Sequence, residues 1–446
     1  MSPEALGMLM LFLLVFTILI GFPTAFTLMA LGVIFGVIGF GSVDIARDLL
    51  VQRTYTLMRN DVLVAIPLFL FMGYMIERSG VLDRLFYSLQ VVVGPMNGAL
   101  ALATLFTGTI FATATGIVGA SVALLGVLAL PAMLRARYQP AFASGVVTAS
   151  GTLGILIPPS VLLILYGFVA GVSVPRLYAG AFLPGLMLSG LYLVYIIGRA
   201  YLQPNVAPAL AKELRQHVTV PHALWLLLTG FLPIAVLIGA VLASILVGLA
   251  TPSEAAALGG VAAIGLAAAY RRLTWQNLKE SVFLTARTSA MVGWLLVGSG
   301  MFASVFARLG GAQLIGDFVV RLGLNEVGFF WLAQAIIFFL GWPLEWTEIT
   351  IIFLPLFLPL LEPFNIDPLF FGIMTALNQQ TSFLSPPVAM SAYYLKGVAP
   401  TLLLNQIFRG MYPFLAIQVL AMGVLWLFPA LATWLPDVVY GVIGER

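Results

Sequence analysis

The stretch "TSFLSPPVAM" (residues 381–390) places two adjacent prolines inside a long apolar region. Proline lacks a backbone N–H and clashes with the preceding helical turn, so a Pro-Pro pair interrupts a helix. The stretch "GTLGILIPPSVLL" (residues 151–163) contains the same feature. A chain that breaks its backbone twice in matching ways predicts a fold built around two related, discontinuous helices.

The composition predicts an all-α polytopic membrane protein. Of the 446 residues, 61% are hydrophobic and 8% are charged, whereas about 25% of the residues of a soluble protein are charged. Many apolar stretches reach the ~20 residues that a membrane-spanning helix needs. These runs are continuous and do not alternate with polar residues, which favours helices over a β-barrel in the lipid bilayer.

The polar residues argue against several functional classes. The chain has no cysteine, and its two histidines, His217 and His222, lie in one polar loop. Thiol chemistry and a histidine-based metal centre inside the membrane are therefore excluded. The net charge of +3 is small and spread over loops, so we expect no nucleic-acid partner. We do not expect an enzyme.

Basic residues set the predicted topology. They concentrate in segments 199–222 and 271–287, which are separated by two spans and therefore face one side, the cytoplasm. One segment fits this rule poorly. Residues 44–61 carry Arg47, Arg53 and Arg59, although counting the spans places them outside. Spans are predicted at about 5–21, 24–41, 62–77, 177–198, 223–249, 253–270, 281–306 and 412–434.

An internal duplication is visible in the prolines. Sliding the sequence by 228 positions superposes Pro131 on Pro359, Pro140 on Pro368, Pro158-Pro159 on Pro386-Pro387, and Tyr166 on Tyr394. Five predicted crossings separate Arg78 from Arg308. Five is odd, so the two repeats should be inverted. Inverted repeats with paired broken helices are typical of secondary transporters, whose substrate site lies near the membrane midplane.

The predicted organisation has four parts. Residues 1–61 form N-terminal scaffold helices, and residues 199–280 form a cytoplasmic loop with further scaffold helices. The first inverted repeat is 62–198, with a re-entrant hairpin at 98–135 and a broken helix at 138–170. The second is 281–446, with a hairpin at 326–361 and a broken helix at 367–398.

Polar residues at the breaks and hairpin tips are the candidate site. Backbone groups freed by a Pro-Pro pair cost several kcal/mol each in lipid, so they should line a polar cavity or lie buried in protein. Hydroxyl, amide and carbonyl oxygens suit Na⁺, and helix N-termini suit an anionic substrate. The predicted Na⁺ ligands are Thr113, Thr115, Gly116, Ser150, Gly151, Gly154, Glu345, Thr347, Glu348, Gln379, Thr381 and Ser385. The predicted substrate-binding residues are Ser121, Thr152, Ser160, Asn378, Gln380 and Ser382.

Structural interpretations of the same residues stay open. The prolines could merely kink buried helices. Glu345 and Glu348 are three residues apart and would share a helix face, but they could also lie at the water interface or bond to backbone amides. The segment "TPSEAAA" predicts a helix start, with Thr251 as N-cap, Pro252 at the first helical position and Glu254 completing a capping box.

Several of these segments resemble one known family. "LGILIPPS" (153–160), "TPSEAAA" (251–257), "NIDPLFFGIMTALNQQTSFLSPPV" (365–388) and "TGIVGASVALLG" (115–126) resemble the large membrane (M) subunit of tripartite ATP-independent periplasmic (TRAP) transporters. The resemblance covers nearly the entire chain. "LEWTEI" (344–349) and "NQQTSFLSPPV" look like the subgroup associated with mannitol, chloroaromatic compounds and 2-oxo acids. Where many members have a tip like "SGSAVAD", this chain has Ser121 in place of the acidic residue.

The resemblance implies Na⁺-driven import of small organic anions across the bacterial inner membrane. It also implies two partners, a small four-helix membrane (Q) subunit and a periplasmic substrate-binding (P) protein, and an elevator in which the hairpin domain moves against a scaffold. Three alternatives stay open: a self-sufficient sodium- or proton-coupled carboxylate transporter that needs no binding protein, a channel, and an intramembrane enzyme.

Overall fold

The computed structural model describes residues 1–209 and 220–441, which form helices and connecting loops. Lys212, Arg215 and His217 of the predicted basic loop lie outside the described residues. The first four helices are α1 (Pro3–Ile20), α2 (Thr24–Phe40), α3 (Val43–Met58) and α4 (Asp61–Arg78). Three of them match predicted spans. Helix α3 was not predicted; it is bent by 60° relative to α4.

The first repeat contains the predicted hairpin and broken helix. Its helices are α5 (Val81–Val93), α6 (Ala99–Thr115), α7 (Val118–Arg135), α8 (Pro140–Thr152), α9 (Val161–Ala170) and α10 (Val174–Leu202), with a 3₁₀ turn at Leu153–Ile155. Helices α6 and α7 are the two arms of the first hairpin. They are joined at Gly116, whose positive φ of 64° ends α6 and is readily adopted by glycine.

The middle of the chain supplies long apolar helices. They are α11 (Val220–Leu226), α12 (Leu232–Leu246), α13 (Pro252–Ala269) and α14 (Trp275–Arg308), with a π segment at Leu227–Phe231 between α11 and α12. The predicted start of α13 is confirmed. The Thr251 hydroxyl accepts from the Glu254 N–H at 3.3 Å, and the Glu254 carboxylate accepts from the Thr251 N–H at 2.8 Å.

The second repeat follows the same order of elements. Its helices are α15 (Gly311–Arg321), α16 (Glu326–Leu340), α17 (Trp346–Glu348), α18 (Leu354–Leu361), α19 (Pro368–Leu384), α20 (Met390–Val398), α21 (Leu404–Leu427) and α22 (Ala430–Tyr440). A π segment at Ile349–Phe353 joins α17 to α18, and a 3₁₀ turn at Glu362–Phe364 follows α18. The last predicted span, 412–434, is divided between α21 and α22.

Both Pro-Pro pairs interrupt their helices as predicted. The chain leaves helical geometry between α8 and α9 and again between α19 and α20. Both Pro-Pro peptide bonds are cis. Continuous, merely kinked helices are therefore excluded.

Among the described residues, eight helices are long and apolar enough to cross a membrane, or nine if the bent pair α3 and α4 counts as one span. Each of the two hairpins is held at its base. The base of the first is held by the 206–207 segment, where the Gly98 N–H donates to the Ala207 carbonyl at 2.9 Å. The base of the second is closed by Phe329 stacked on Phe364, with ring centroids 4.3 Å apart.

Helices α2, α4, α13 and α14 pack together beside the hairpins. Gly298 on α14 approaches the carbonyl oxygen of Ala25, and Gly32 on α2 faces Met301, because small residues allow close helix packing in membranes. Arg78 on α4 and Glu280 on α14 form an ion pair at 2.9 Å. We call these four helices, with α1, α3 and α12, which packs on α13, the scaffold helices.

Helices α8 and α21 make the closest backbone contact of the hairpin region. A β-carbon built on Gly145 of α8 would collide with the carbonyl oxygen of Gly410, and one on Gly410 of α21 would collide with that of Ala141. Only glycine fits at either position without moving a helix. Gly423, on the same helix α21, has open space around it.

We expect Gly410→Ala to lower the free energy of unfolding by about 1–3 kcal/mol, since overpacking forces backbone shifts. The control Gly423→Ala should be neutral or stabilising by about 0.5–1 kcal/mol, because alanine favours the helix. Thermal unfolding of the purified chain in detergent measures both. Equal midpoints for the two variants would contradict the close contact.

Candidate functional site

A cavity of about 280 Å³ lies where the tips of the two hairpins meet. We call it the tip cavity. Its lining comes from six parts of the fold: the two hairpin tips, the two broken helices, and the scaffold helices α4 and α14. The lining residues are Ile117, Val118, Gly119, Glu345, Trp346, Thr347, Val161, Phe383, Tyr394, Leu70, Tyr74, Thr288, Met291 and Val292.

Tyr394 of α20 connects the two tips. Its hydroxyl donates to the Glu345 carboxylate at 3.3 Å, and its ring lies against Gly119, where a β-carbon would be 3.2 Å from the ring. Tyr166, its counterpart under the offset of 228, has a different role. Its hydroxyl donates to the Pro368 carbonyl at 2.5 Å, so it ties the broken helices together outside the cavity. The two repeats therefore have a tyrosine at corresponding positions, but only Tyr394 lines the tip cavity.

The first break packs directly against the first hairpin. Gly154 approaches the carbonyl oxygen of Ala112, and a β-carbon on Gly151 would lie 3.1 Å from the Val122 nitrogen. The predicted residues of this region thus lie in one buried layer. At the tip, the Thr115 and Ser121 hydroxyls are 3.2 Å apart.

Most hydroxyls at the first break donate to nearby carbonyls. Thr113 donates to the Thr109 carbonyl at 2.6 Å, Ser150 to Val146 at 2.6 Å, Thr152 to Ala149 at 2.9 Å, and Ser160 to Ile155 at 2.5 Å. A hydroxyl whose proton is engaged in this way offers only its lone pairs to a further ligand. That is the chemistry of a cation ligand rather than of an anion donor.

The second break is held by the first arm and the turn of the second hairpin. The Asn378 amide donates to the Gln334 carbonyl at 2.7 Å, and Ser382 donates to the Phe338 carbonyl at 3.1 Å. The Trp342 indole donates to Ser385 at 2.8 Å. These bonds join the break to residues 334–342, whereas the sequence had pointed to 345–350 as the facing segment.

The two acidic candidates occupy different environments. The Glu348 carboxylate accepts from the Glu345 N–H at 3.1 Å and so caps the start of α17, which is the backbone-bonded alternative left open by the sequence. The Glu345 side chain lines the tip cavity. Thr347 is buried beside them. Only Glu345 presents its carboxylate to the cavity.

Two buried amides near the second break have no partner in the part of the chain that the structure describes. The side-chain nitrogen and oxygen atoms of Gln379 and Gln380 are buried and make no hydrogen bond to any described residue. Thr381, next to them, donates to the Asn378 carbonyl at 2.6 Å. Unsatisfied buried polar atoms cost about 1–3 kcal/mol each, so retaining four of them favours a role in binding.

Sequence reasoning missed part of the site. Tyr74 and Thr288, whose hydroxyls are 3.0 Å apart, form the scaffold wall of the tip cavity, and no motif marks them. Gln334 and Trp342 support the second break from an apolar hairpin arm. Tyr394 could have been found, because the repeat offset already paired it with Tyr166.

The described ranges contain no group of three His, Cys, Asp or Glu side chains that could hold a metal ion. A cation in this region would therefore be bound by hydroxyl, amide and backbone carbonyl oxygens, with at most one or two carboxylates. Such oxygen ligands suit Na⁺ in discontinuous-helix transporters.

Comparisons with known proteins agree with these features. The sequence family described as "Tripartite ATP-independent periplasmic transporter, DctM component" matches residues 9–431. The C4-dicarboxylate TRAP transporter large permease protein DctM of Rhodobacter capsulatus is 28% identical, over 89% of this chain and 92% of its own length. The sialic acid TRAP transporter large permease protein SiaM of Vibrio cholerae is also 28% identical, over 86% of this chain and 88% of its own length.

A solved structure has a similar fold. The Alcanivorax borkumensis YdaH transporter superposes with a TM-score of 0.62, covering 97% of this chain and 98% of its own. Its sequence identity is 16%, so this likeness concerns the fold alone.

We expect Gln380→Met to leave thermal stability without substrate unchanged or slightly raised, since the amide has no bond to lose and the two side chains are similar in volume. The control Asn378→Leu removes two bonds to Gln334 and should lower the free energy of unfolding by about 1–3 kcal/mol. Thermal unfolding in detergent tests both. An equal loss in the two variants would mean that Gln380 is satisfied in the fold.

Proposed function

Because the chain belongs to the DctM family of tripartite ATP-independent periplasmic transporters, we propose that it is the transport subunit of a Na⁺-coupled, binding-protein-dependent importer of small organic acids. It is a TRAP large permease, a multi-pass protein of the bacterial inner membrane, and not an enzyme. The observation that carries the proposal is the tip cavity, where both hairpin tips meet the scaffold helices α4 and α14.

The cavity suits an anion. Val118 and Val161, the first residues of α7 and α9, both line it, so two helix N-termini direct their positive ends at the ligand. The Tyr74 and Thr288 hydroxyls share one hydrogen bond, which leaves one of their two protons free to donate to the ligand. The relatives named for C4-dicarboxylate and sialic acid support a carboxylate as the substrate class, and the resemblance of residues 344–349 favours a 2-oxo acid.

Two Na⁺ sites are part of the proposal. The first comprises residues 113–121 and 150–158, where engaged hydroxyls and close backbone carbonyls supply oxygens. The second lies at residues 378–386, which bond to residues 334–342 of the second hairpin and include the unpartnered amides of Gln379 and Gln380. In this arrangement Na⁺ is a co-transported substrate.

The proposed transport step is an elevator movement. The hairpins and broken helices would move as a unit, and the scaffold helices would stay fixed. The hairpin region and the scaffold helices approach each other closely: a β-carbon on Gly73 of α4 would lie 2.7 Å from the Thr115 Cα. A glycine at this contact lets the first hairpin approach the scaffold without an intervening side chain.

A tripartite transporter of this family works with a small membrane subunit and a periplasmic binding protein. We place the small four-helix subunit on the scaffold, against the N-terminal helices and residues 223–270, which leaves the hairpin region free to move. The longest polar loop of this chain, about residues 199–222, is too short to select a solute. Selection is therefore assigned to the binding protein.

The decisive experiment is reconstitution into proteoliposomes with the two partners. Thermal-shift screening of the cognate binding protein against short-chain carboxylates first identifies the substrate. We then expect uptake above equilibrium with an inward Na⁺ gradient and no accumulation when choline replaces Na⁺ at fixed pH, because the cation supplies the driving force. Uptake that survives this replacement would favour the proton-coupled alternative.

Omitting the partners tests the subunit assignment. We expect this chain alone to give little uptake at micromolar substrate, because capture at low concentration is assigned to the binding protein. Adding the small subunit and the loaded binding protein should restore uptake. Robust uptake by the chain alone would identify a self-sufficient transporter, and a conductance would identify a channel.

A further inference from the structure

Helix α3 carries Arg47 and Arg53 and is followed directly by Arg59, at the end of the molecule that the crossing count places outside. Arg47 pairs with Asp44 at 3.1 Å and with Asp48 at 3.2 Å. Arg59 lies over the Tyr55 ring, 5.4 Å from its centroid. Arg53 makes neither an ion pair nor a hydrogen bond with any described residue. The role of Arg53 must therefore be inferred from the residues around it.

Arg53 lines a second cavity, of about 430 Å³, which we call the outer cavity. Its walls are α3, the second half of α14, the end of α9 and the second arm of the second hairpin. The polar lining residues are Arg53, Thr56, Ser299 and Ser304, and the remainder is apolar. Arg53 is the only charged residue of the lining, and no carboxylate neutralises it there.

The outer cavity continues the interface that contains the tip cavity. Thr288 of α14 lines the tip cavity and Ser299 lines the outer one, a separation of about 16 Å at 1.5 Å per helical residue. Likewise, α9 contributes Val161 to the tip cavity and Phe168 to the outer one. Both cavities thus lie between the same hairpin region and the same scaffold helix, displaced along its axis.

We propose that Arg53 forms an entry site in the outer cavity, which binds the carboxylate of the organic acid on the outer side before it reaches the tip cavity. The guanidinium is the donor there, because the Thr56, Ser299 and Ser304 hydroxyls already donate to backbone carbonyls of their own helices. A guanidinium binds a carboxylate through two parallel hydrogen bonds. A cleft whose charge has one sign raises the local concentration of the opposite ion. The identity of the anion as transported substrate rests on the proposed function; the anion site itself does not.

The first test uses the absence of cysteine from the natural chain. Thr56→Cys introduces a single thiol one helical turn from Arg53, and membrane-impermeant methanethiosulfonates of opposite charge are added outside spheroplasts producing the full chain. When Arg53→Gln is added to Thr56→Cys, the thiol should react more slowly with the anionic reagent and faster with the cationic one. Each rate should change about threefold, as expected for a unit charge ~6 Å away in water. The matched control Arg47→Gln should change neither rate, because position 47 lies nine helical residues from position 56, about 13 Å along α3, where salt screens an exposed charge. Equal rates with and without Arg53, or no labelling from outside, would overturn the site.

The second test uses pyruvate as the probe and its neutral amide as the control. Pyruvate should protect Thr56→Cys from labelling when Arg53 is present and lose this effect with Arg53→Gln, whereas the amide should not protect either variant. Protection that is unchanged by Arg53→Gln would also overturn the site. Neither labelling experiment requires transport, so failure of the proposed function would be seen separately, as absent uptake by the unmodified complex.

Uptake by the complete three-component system gives the functional readout. Arg53→Gln should raise the KM several-fold with little change in maximal rate, and Arg53→Lys should restore part of the loss because it keeps the charge. If Arg53→Gln slows uptake but leaves the reagent rates unchanged, Arg53 contacts the binding protein instead, and the entry site is wrong.

Discussion

The structure depends on satisfying the backbone groups that two Pro-Pro pairs release inside an apolar protein. At the first break, the Ser160 hydroxyl donates to the Ile155 carbonyl at 2.5 Å, and Tyr178 donates to the Ser160 carbonyl at 3.3 Å. At the second, Trp342 and Ser382 connect the break to the second hairpin. The first break is therefore satisfied by its own Ser160 and by α10, and the second is bonded to its hairpin, so that polar groups at the breaks are kept out of lipid. The polar residues concentrate at the breaks for the same reason.

The internal duplication accounts for the two matching hairpins and broken helices. The differences between the two repeats account for the composition of the tip cavity. Both repeats contain a hairpin, a Pro-Pro break and a tyrosine at corresponding positions, yet Tyr166 bonds to a helix start whereas Tyr394 reaches the Glu345 carboxylate. The tips differ in the same way, since one presents Gly119 and hydroxyls and the other a carboxylate. A symmetric pair would give two equivalent half-sites. Because of these differences, the first tip directs the N-terminus of α7 at the cavity, whereas the second contributes a carboxylate.

The sequence predicted the elements that depend on local chemistry. Proline fixes where a helix breaks or begins, so the limits of both hairpins and both broken helices were predicted to within a few residues. Helix α3 was missed because its mixed composition resembles a loop and its stability comes from packing on α14. Tyr74, Thr288 and Gln334 were missed because their roles arise from contacts 41 to 214 residues away along the chain. No local pattern encodes such contacts.

The charges around the tip cavity explain why a co-transported cation would be required. Its lining includes the Glu345 carboxylate but no lysine, arginine or histidine. The N-termini of α7 and α9 contribute about +0.5 each, which balances that carboxylate and no more. A substrate carboxylate would then leave about one uncompensated negative charge, and a pair of like charges 4 Å apart costs about 4 kcal/mol at an effective dielectric constant of 20. A bound Na⁺, or a proton on Glu345, would remove that cost. The anion and the cation would therefore favour each other's binding, and a hairpin domain carrying only one of them would cross less readily than one carrying both or neither.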